Sequence, residues 1–167
     1  MLLSAFTLFH VIISLIGIVS GLVFLYQLLT SRRSEGWTTL FLTTTVATSV
    51  TGFFFPVHHF MPSHGVGIIS LILLGIAIPA RRIFRLATPW GRIFVGTSVT
   101  ALYLNVFVLI VQLFLKVPAL KALAPTQSEP PFQITQLTVL LLFIVLGTLA
   151  TVRFRSNPAR TPVTSRL

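Results

Sequence analysis

Arg81-Arg82-Ile83-Phe84-Arg85-Leu86-Ala87-Thr88-Pro89-Trp90-Gly91-Arg92 is the stretch that decides how this chain is arranged. It separates two apolar runs, about Gly65 to Ala80 and about Ile93 to Leu115. Short loops rich in Lys and Arg stay on the cytoplasmic side of a membrane. If both runs cross, the four arginines of this stretch share a side with Arg32 and Arg33, and with Arg153, Arg155, Arg160 and Arg166. If the run 65–80 failed to cross, they would fall opposite Arg32 and Arg33. With every run crossing, only Lys116 and Lys121 of the twelve Lys and Arg residues face the other way. The bias selects an all-α integral membrane bundle of five transmembrane helices, N-terminus out and C-terminus in. A four-span variant with one re-entrant segment is the alternative.

Outward from that stretch, the expected spans are about Leu3–Leu29, Trp37–Pro56, Gly65–Ala80, Ile93–Leu115 and Ile134–Val152. The third is short of the ~20 residues a crossing usually needs, and Pro79 stands near its end. The stretch 81–92 alternates arginine with apolar residues and predicts a short interfacial helix. Continuous apolar runs, without alternation, predict helices and not barrel strands. Residues 1–155 form one transmembrane domain in this reading. Residues 156–167 form a basic, disordered cytoplasmic tail.

Composition agrees. Of 167 residues, 54% are hydrophobic and 8% charged, against roughly 25% charged in water-soluble domains. The net charge of +10 would suggest nucleic acid in a soluble protein, but these arginines sit at span ends, where they favour anionic headgroups. Nucleic-acid binding is rejected. The absence of cysteine excludes disulfides and thiolate chemistry. The first apolar run has its positive charges after it and is longer than a signal-peptide core, so it is expected to be an uncleaved span.

Helices in lipid associate through small residues. His10, Ser14, Gly17 and Gly21 share one face of span one, so His10 is expected to point into the bundle. Gly17 and Gly21 offer a packing face for another span or for a second copy of the chain. Thr44, Thr48 and Gly52 form a similar face, and Ser98, Ala101, Asn105 and Gln112 a polar stripe expected to face inward. Val46–Gly52 and Val95–Ala101 echo one another, which is either a duplicated two-helix unit or a coincidence among small residues.

All four histidines fall toward the expected outer face: His10 in span one, and His58, His59 and His64 in the loop that also holds Met61. Three readings stand. They are interfacial polar groups with His10 bonded inside the bundle. They form a metal or haem site, with imidazole and the Met61 thioether suiting copper or zinc and His10 serving as a haem ligand. Or they titrate as a proton-sensitive switch. No HExxH-type spacing accompanies them. Asn105 is either a cross-helix hydrogen bond or a contact for a substrate or quinone headgroup. The long outer connection, Lys116–Gln133, carries four prolines and Glu129. It is a lid over the histidines, a surface presenting Glu129 to a partner, or a stiff tether.

Lys116-Val117-Pro118-Ala119-Leu120-Lys121-Ala122-Leu123-Ala124-Pro125-Thr126-Gln127-Ser128-Glu129-Pro130-Pro131-Phe132, with Ala101–Leu109 and Val46–Gly52, resembles stretches of small multi-pass bacterial membrane proteins. The resemblance implies a bacterial inner (plasma) membrane location and no activity, substrate or cofactor. No acidic residue lies within a span, so neither a Ser-His-Asp set nor paired carboxylates can be assembled. The expectation is a non-enzymatic accessory or binding protein working through its outer loops, in contact with the lipid bilayer and another membrane protein. A redox or metal/haem-binding protein is the alternative. A small transporter subunit comes third.

Overall fold

The computed structural model describes residues 2–32, 34–55, 62–87 and 89–154. It is a bundle of helices with no strand among the described residues: α1 (Leu2–Leu29), α2 (Glu35–Gly52), α3 (Pro62–Arg82), α4 (Trp90–Lys116), the short α5 (Pro118–Leu123) and α6 (Pro130–Arg153). Residues 155–167, which include the expected disordered tail, lie outside the described residues, as do His58, His59 and Met61.

α4 is the central helix, touching α1, α2, α3, α5 and α6. Its buried positions Phe94, Val95, Ser98, Val99, Ala101 and Leu102 recur at the three-and-four spacing of one helical face. Around them gather Phe24 and Leu28 of α1, Phe41 of α2, Leu74 and Ala77 of α3, and Ala150 of α6. The Phe24 ring stacks on Phe41 at 5.3 Å and meets Phe94 edge-on at 5.8 Å. Outside this core the helices are apolar too. Val19, Ile72, Leu141 and Val145 are each more than half exposed, the surface a bilayer covers and water would not.

Four helices are long and apolar enough to cross a membrane: α1, α3, α4 and α6. The weak element is not the one expected. α3 runs 21 residues, from Pro62 to Arg82, because the chain stays helical on both sides of the predicted run and through Pro79. α2 is 18 residues, about 27 Å at ~1.5 Å per residue, and its seven threonines lower its hydropathy. Three of those hydroxyls are spent locally: Thr38, Thr44 and Thr51 each donate to the carbonyl four residues back, at 3.0, 2.7 and 2.7 Å. Such bonds make threonine tolerable in an apolar setting. α2 lies antiparallel along α1, from Ser34, whose N–H donates to Gln27 Oε1 at 3.3 Å, to Thr51 beside His10.

The GxxxG face of α1 is used within the chain. Gly17 lies against Thr44 and Thr45, and Gly21 against Phe41 and Leu102. α2 and α4 therefore occupy the face that was a candidate for self-association through Gly17 and Gly21.

The α1–α2 and α3–α4 turns are tight. α1 ends in a Schellman arrangement: Arg32 N–H donates to Gln27 O at 3.0 Å and Ser31 N–H to Leu28 O at 3.4 Å, with Ser31 at φ 55° where glycine is usual. The expected interfacial helix at 81–92 is absent. α3 continues to Arg82, a turn follows with Arg85 and Leu86 at φ 48° and 59°, and α4 starts at Trp90. The Phe84 and Trp90 rings stack at 3.8 Å across that turn.

These connections give the bundle two unlike ends. Among the described residues Arg32, Arg81, Arg82, Arg85, Arg92 and Arg153 all lie at one, the arginine end, and Lys116 and Lys121 at the other, the lysine end.

Candidate functional site at the lysine end

His10 faces α2, as its shared face with Gly17 and Gly21 requires. It is half-buried, its Nδ1 is 2.8 Å from Thr51 Oγ1, and its ring meets Phe55 edge-on at 5.0 Å. Phe6 packs on the same Phe55 at 5.1 Å. Thr51 Oγ1 is also 2.7 Å from Ala47 O, and with its hydroxyl hydrogen on that carbonyl Thr51 accepts and His10 Nδ1–H donates. In the neutral ring this tautomer leaves the lone pair on Nε2. The bond survives protonation at Nε2, since Nδ1 remains a donor, and so is not itself a pH-sensitive latch.

His64 stands in the first turn of α3, its ring 5.7 Å from Phe53 at the end of α2. The two described histidines thus have separate aromatic partners, Phe55 and Phe53. No three His, Asp or Glu side chains gather in a metal-binding group among the described residues. The proposed ligands His58, His59 and Met61 lie outside them.

Asn105 is a cross-helix bond: its Nδ2 donates to Thr45 Oγ1 at 3.3 Å. Gln112 departs from the expected stripe and is exposed. Beyond Asn105, Ile110 and Phe114 take the buried positions of α4, against Ala124 and Phe132. Gln112 is left on the far side. Gln136 of α6 takes an inward place: it is buried and donates through Nε2 to Phe107 O at 3.2 Å. Its Oε1, with Thr48 Oγ1 and Ser98 Oγ, has no partner among the described residues.

The connection between α4 and α6 is a built structure. α5 packs on α4, and residues 124–129 form a knot around Glu129. The carboxylate accepts from Thr126 N–H (3.1 Å), Thr126 Oγ1–H (2.9 Å) and Ser128 N–H (3.1 Å). Gln133 Nε2 donates to Ser128 O at 2.8 Å. Gln127, at φ 61°, sends its Nε2 down to Val111 O, 2.9 Å away, and Phe132 packs edge-on against Phe114 at 5.3 Å. Desolvation works to raise the Glu129 carboxyl, but the hydrogen bonds from Thr126 and Ser128 outweigh it and hold it below the ordinary carboxylate range. Glu129 therefore organises its own loop, and the loop is fastened to α4 and α6.

Two partners here were invisible in the sequence. Thr51 is one residue off the Thr44/Thr48/Gly52 face, and nothing local marks Gln127 for a left-handed backbone. The Glu129 knot had a readable signal in Thr-x-x-Glu before a Pro-led helix, a capping pattern. No family model, curated protein or solved structure matches the chain.

Proposed function

We propose that this is a five-span protein of the bacterial inner membrane, lysine end out and arginine end in, that acts as a non-enzymatic accessory or binding protein through its α4–α6 connection. The observation that carries the reading is the Glu129 knot. Three donors converge on one carboxylate, and Gln127 anchors the turn to α4. A tether needs no such construction, whereas a recognition surface gains affinity from being ordered beforehand. Beside the knot, Leu123, Ile134 and Leu137 are exposed and give it an apolar flank. The orientation draws on the arginine–lysine split, and α2 counts as the fifth span because it lies along α1 from Gln27 to His10.

Two measurements test this. Reporter fusions after Arg92 should signal from the cytoplasm and those after Lys121 from outside; an outside signal after Arg92 would sink the topology. A photo-crosslinking residue at Leu123 should capture a discrete protein that is lost on Glu129→Gln, while the same residue at lipid-facing Ile72 captures none. Capture equal at both positions, or unaffected by Glu129→Gln, would reject the loop as a working surface.

A metal or haem function has one observation in its favour. With the Thr51 hydroxyl on Ala47 O, the His10–Thr51 bond leaves His10 Nε2 available, as an oriented ligand requires. Metal content of untagged protein decides it. Stoichiometric copper, zinc or iron lost on His10→Ala or on replacing His58, His59 and His64 would displace the accessory reading.

A further inference from the structure

We propose that a cleft at the arginine end binds an anionic phosphate group, carried by an acidic phospholipid headgroup or by free phosphate. The cleft lies between the α1–α2 turn and the α3–α4 turn, with a polar rim of Gln27, Arg32, Glu35 and Arg81 over a floor that includes Phe24 and Phe94. Its enclosed room is ≈ 30 Å³, enough for a few oxygen-sized groups and not for a whole organic molecule.

Arg81 is the centre of the argument. Its side chain is only 8% exposed, although it carries a full charge. Nη2 alone serves α2, donating to the Glu35 carboxylate, to Glu35 O at 3.3 Å and to Thr39 Oγ1 at 3.0 Å. No described residue accepts from its Nε or Nη1. A guanidinium has five N–H donors, and those on Nε and Nη1 remain open to a ligand. Phosphate oxygens match that fork in pairs.

The surroundings add donors of the same kind. Arg32 lines the cleft from the opposite turn. Gln27 spends its Oε1 on Ser34 N–H, which leaves its amide N–H groups for a ligand. Glu35, in the same lining and paired with Arg81, is the opposing charge, and its side chain is 88% exposed, where solvent screens it.

The experiment uses the full-length protein in an uncharged detergent, titrated with phosphatidylglycerol, inorganic phosphate or diacylglycerol, and read by native mass spectrometry and thermal unfolding. Binding of phosphatidylglycerol without inorganic phosphate assigns the site to lipid; saturation by inorganic phosphate assigns it to the free anion; either supports the proposal. Arg32→Gln removes one charged donor and should weaken binding about tenfold. Arg85→Gln, at the same end but outside the lining, should change it by less than about twofold. Glu35→Gln should tighten it. Arg32→Gln carries the test because Arg81 variants also lose the α2 contacts. Equal binding of diacylglycerol, equal loss in Arg32→Gln and Arg85→Gln, or no binding of either phosphate source would overturn the proposal.

Discussion

Replacing Gly21 with alanine tests the packing at the heart of the bundle. A Cβ at this position would lie 2.4 Å from Leu102 Cδ1 and 2.9 Å from the ring of Phe41. Both neighbours are fully buried, and Phe41 is held by its stack on Phe24, so neither has room to retreat. Overpacking of this kind costs about 1–3 kcal/mol. An alanine also gains about 1 kcal/mol of helix propensity over glycine, which would blur the measurement taken alone. Gly75→Ala and Gly96→Ala remove that ambiguity, because a Cβ at either meets nothing within 4 Å. The difference between Gly21→Ala and these two controls isolates the steric term. At roughly 2–4 °C per kcal/mol for a chain of this size, Gly21→Ala should melt roughly 2–12 °C below the controls in detergent. Trimming Leu102 in the Gly21→Ala background should then cost less than in wild type, the signature of contacting residues. Equal melting of Gly21→Ala and its controls would refute the placement of α1 against α2 and α4.

At the arginine end, Gly91→Ala would put a Cβ 2.3 Å from Phe154 Cε1 and 3.0 Å from Leu86 O; the carbonyl cannot swing away as a side chain can, and thermal melts should show a loss of about 1–3 kcal/mol. Thr51→Val keeps the shape but takes the acceptor from His10 Nδ1, so it should cost about 0.6–2 kcal/mol while Thr51→Ser stays near wild type; a valine variant as stable as wild type would discard the bond. The Glu129 carboxyl is held low by its hydrogen bonds, so its contribution to loop order is present above about pH 4.3 and is lost as pH falls through the lower folded value. Amide exchange at Thr126 and Ser128, corrected for intrinsic rate, should quicken below that window, and Glu129→Gln should show the quickened rate at neutral pH. Protection that ignores both pH and the substitution would disprove the knot.

The helical class and the two-ended charge pattern were legible because both follow from one-dimensional features: apolar run length and the spacing of arginines between runs. The inward face of His10 was legible for the same reason, since four small or polar residues at helical spacing define a stripe without reference to neighbours. The weak span was misplaced because hydropathy counts threonine as polar wherever it stands, while in α2 the hydroxyls of Thr38, Thr44 and Thr51 turn onto their own helix. Conversely, α3 looked short because Pro62–His64 and Arg81–Arg82 carry no apolar signal, although the backbone stays helical through them. Gln112 failed for a tertiary reason: toward the lysine end Ile110 and Phe114 take the buried positions of α4, against Ala124 and Phe132, and Gln112 lies off that face. The Arg81–Glu35 pair joins residues 46 apart, a separation that no local pattern encodes.

The distribution of packing gives the two ends different mechanical characters. The main core is drawn from the parts of α1, α2, α3, α4 and α6 nearest the arginine end. Residues 4–16 of α1 include no buried position. What locates that half of α1 is a short set of specific contacts: His10 on Thr51, and Phe6 and His10 on Phe55. Local stability follows the density of such contacts, so the lysine-end half of α1 should open at lower free energy than Phe24–Leu28. The α4–α6 connection escapes this because Ala124, Ile110 and Phe114 form a second core of their own. One end of the molecule therefore holds a rigid loop beside a lightly fastened helix. A partner engaging the Glu129 knot would meet preformed structure, and any shift it induced would fall on the lysine-end half of α1.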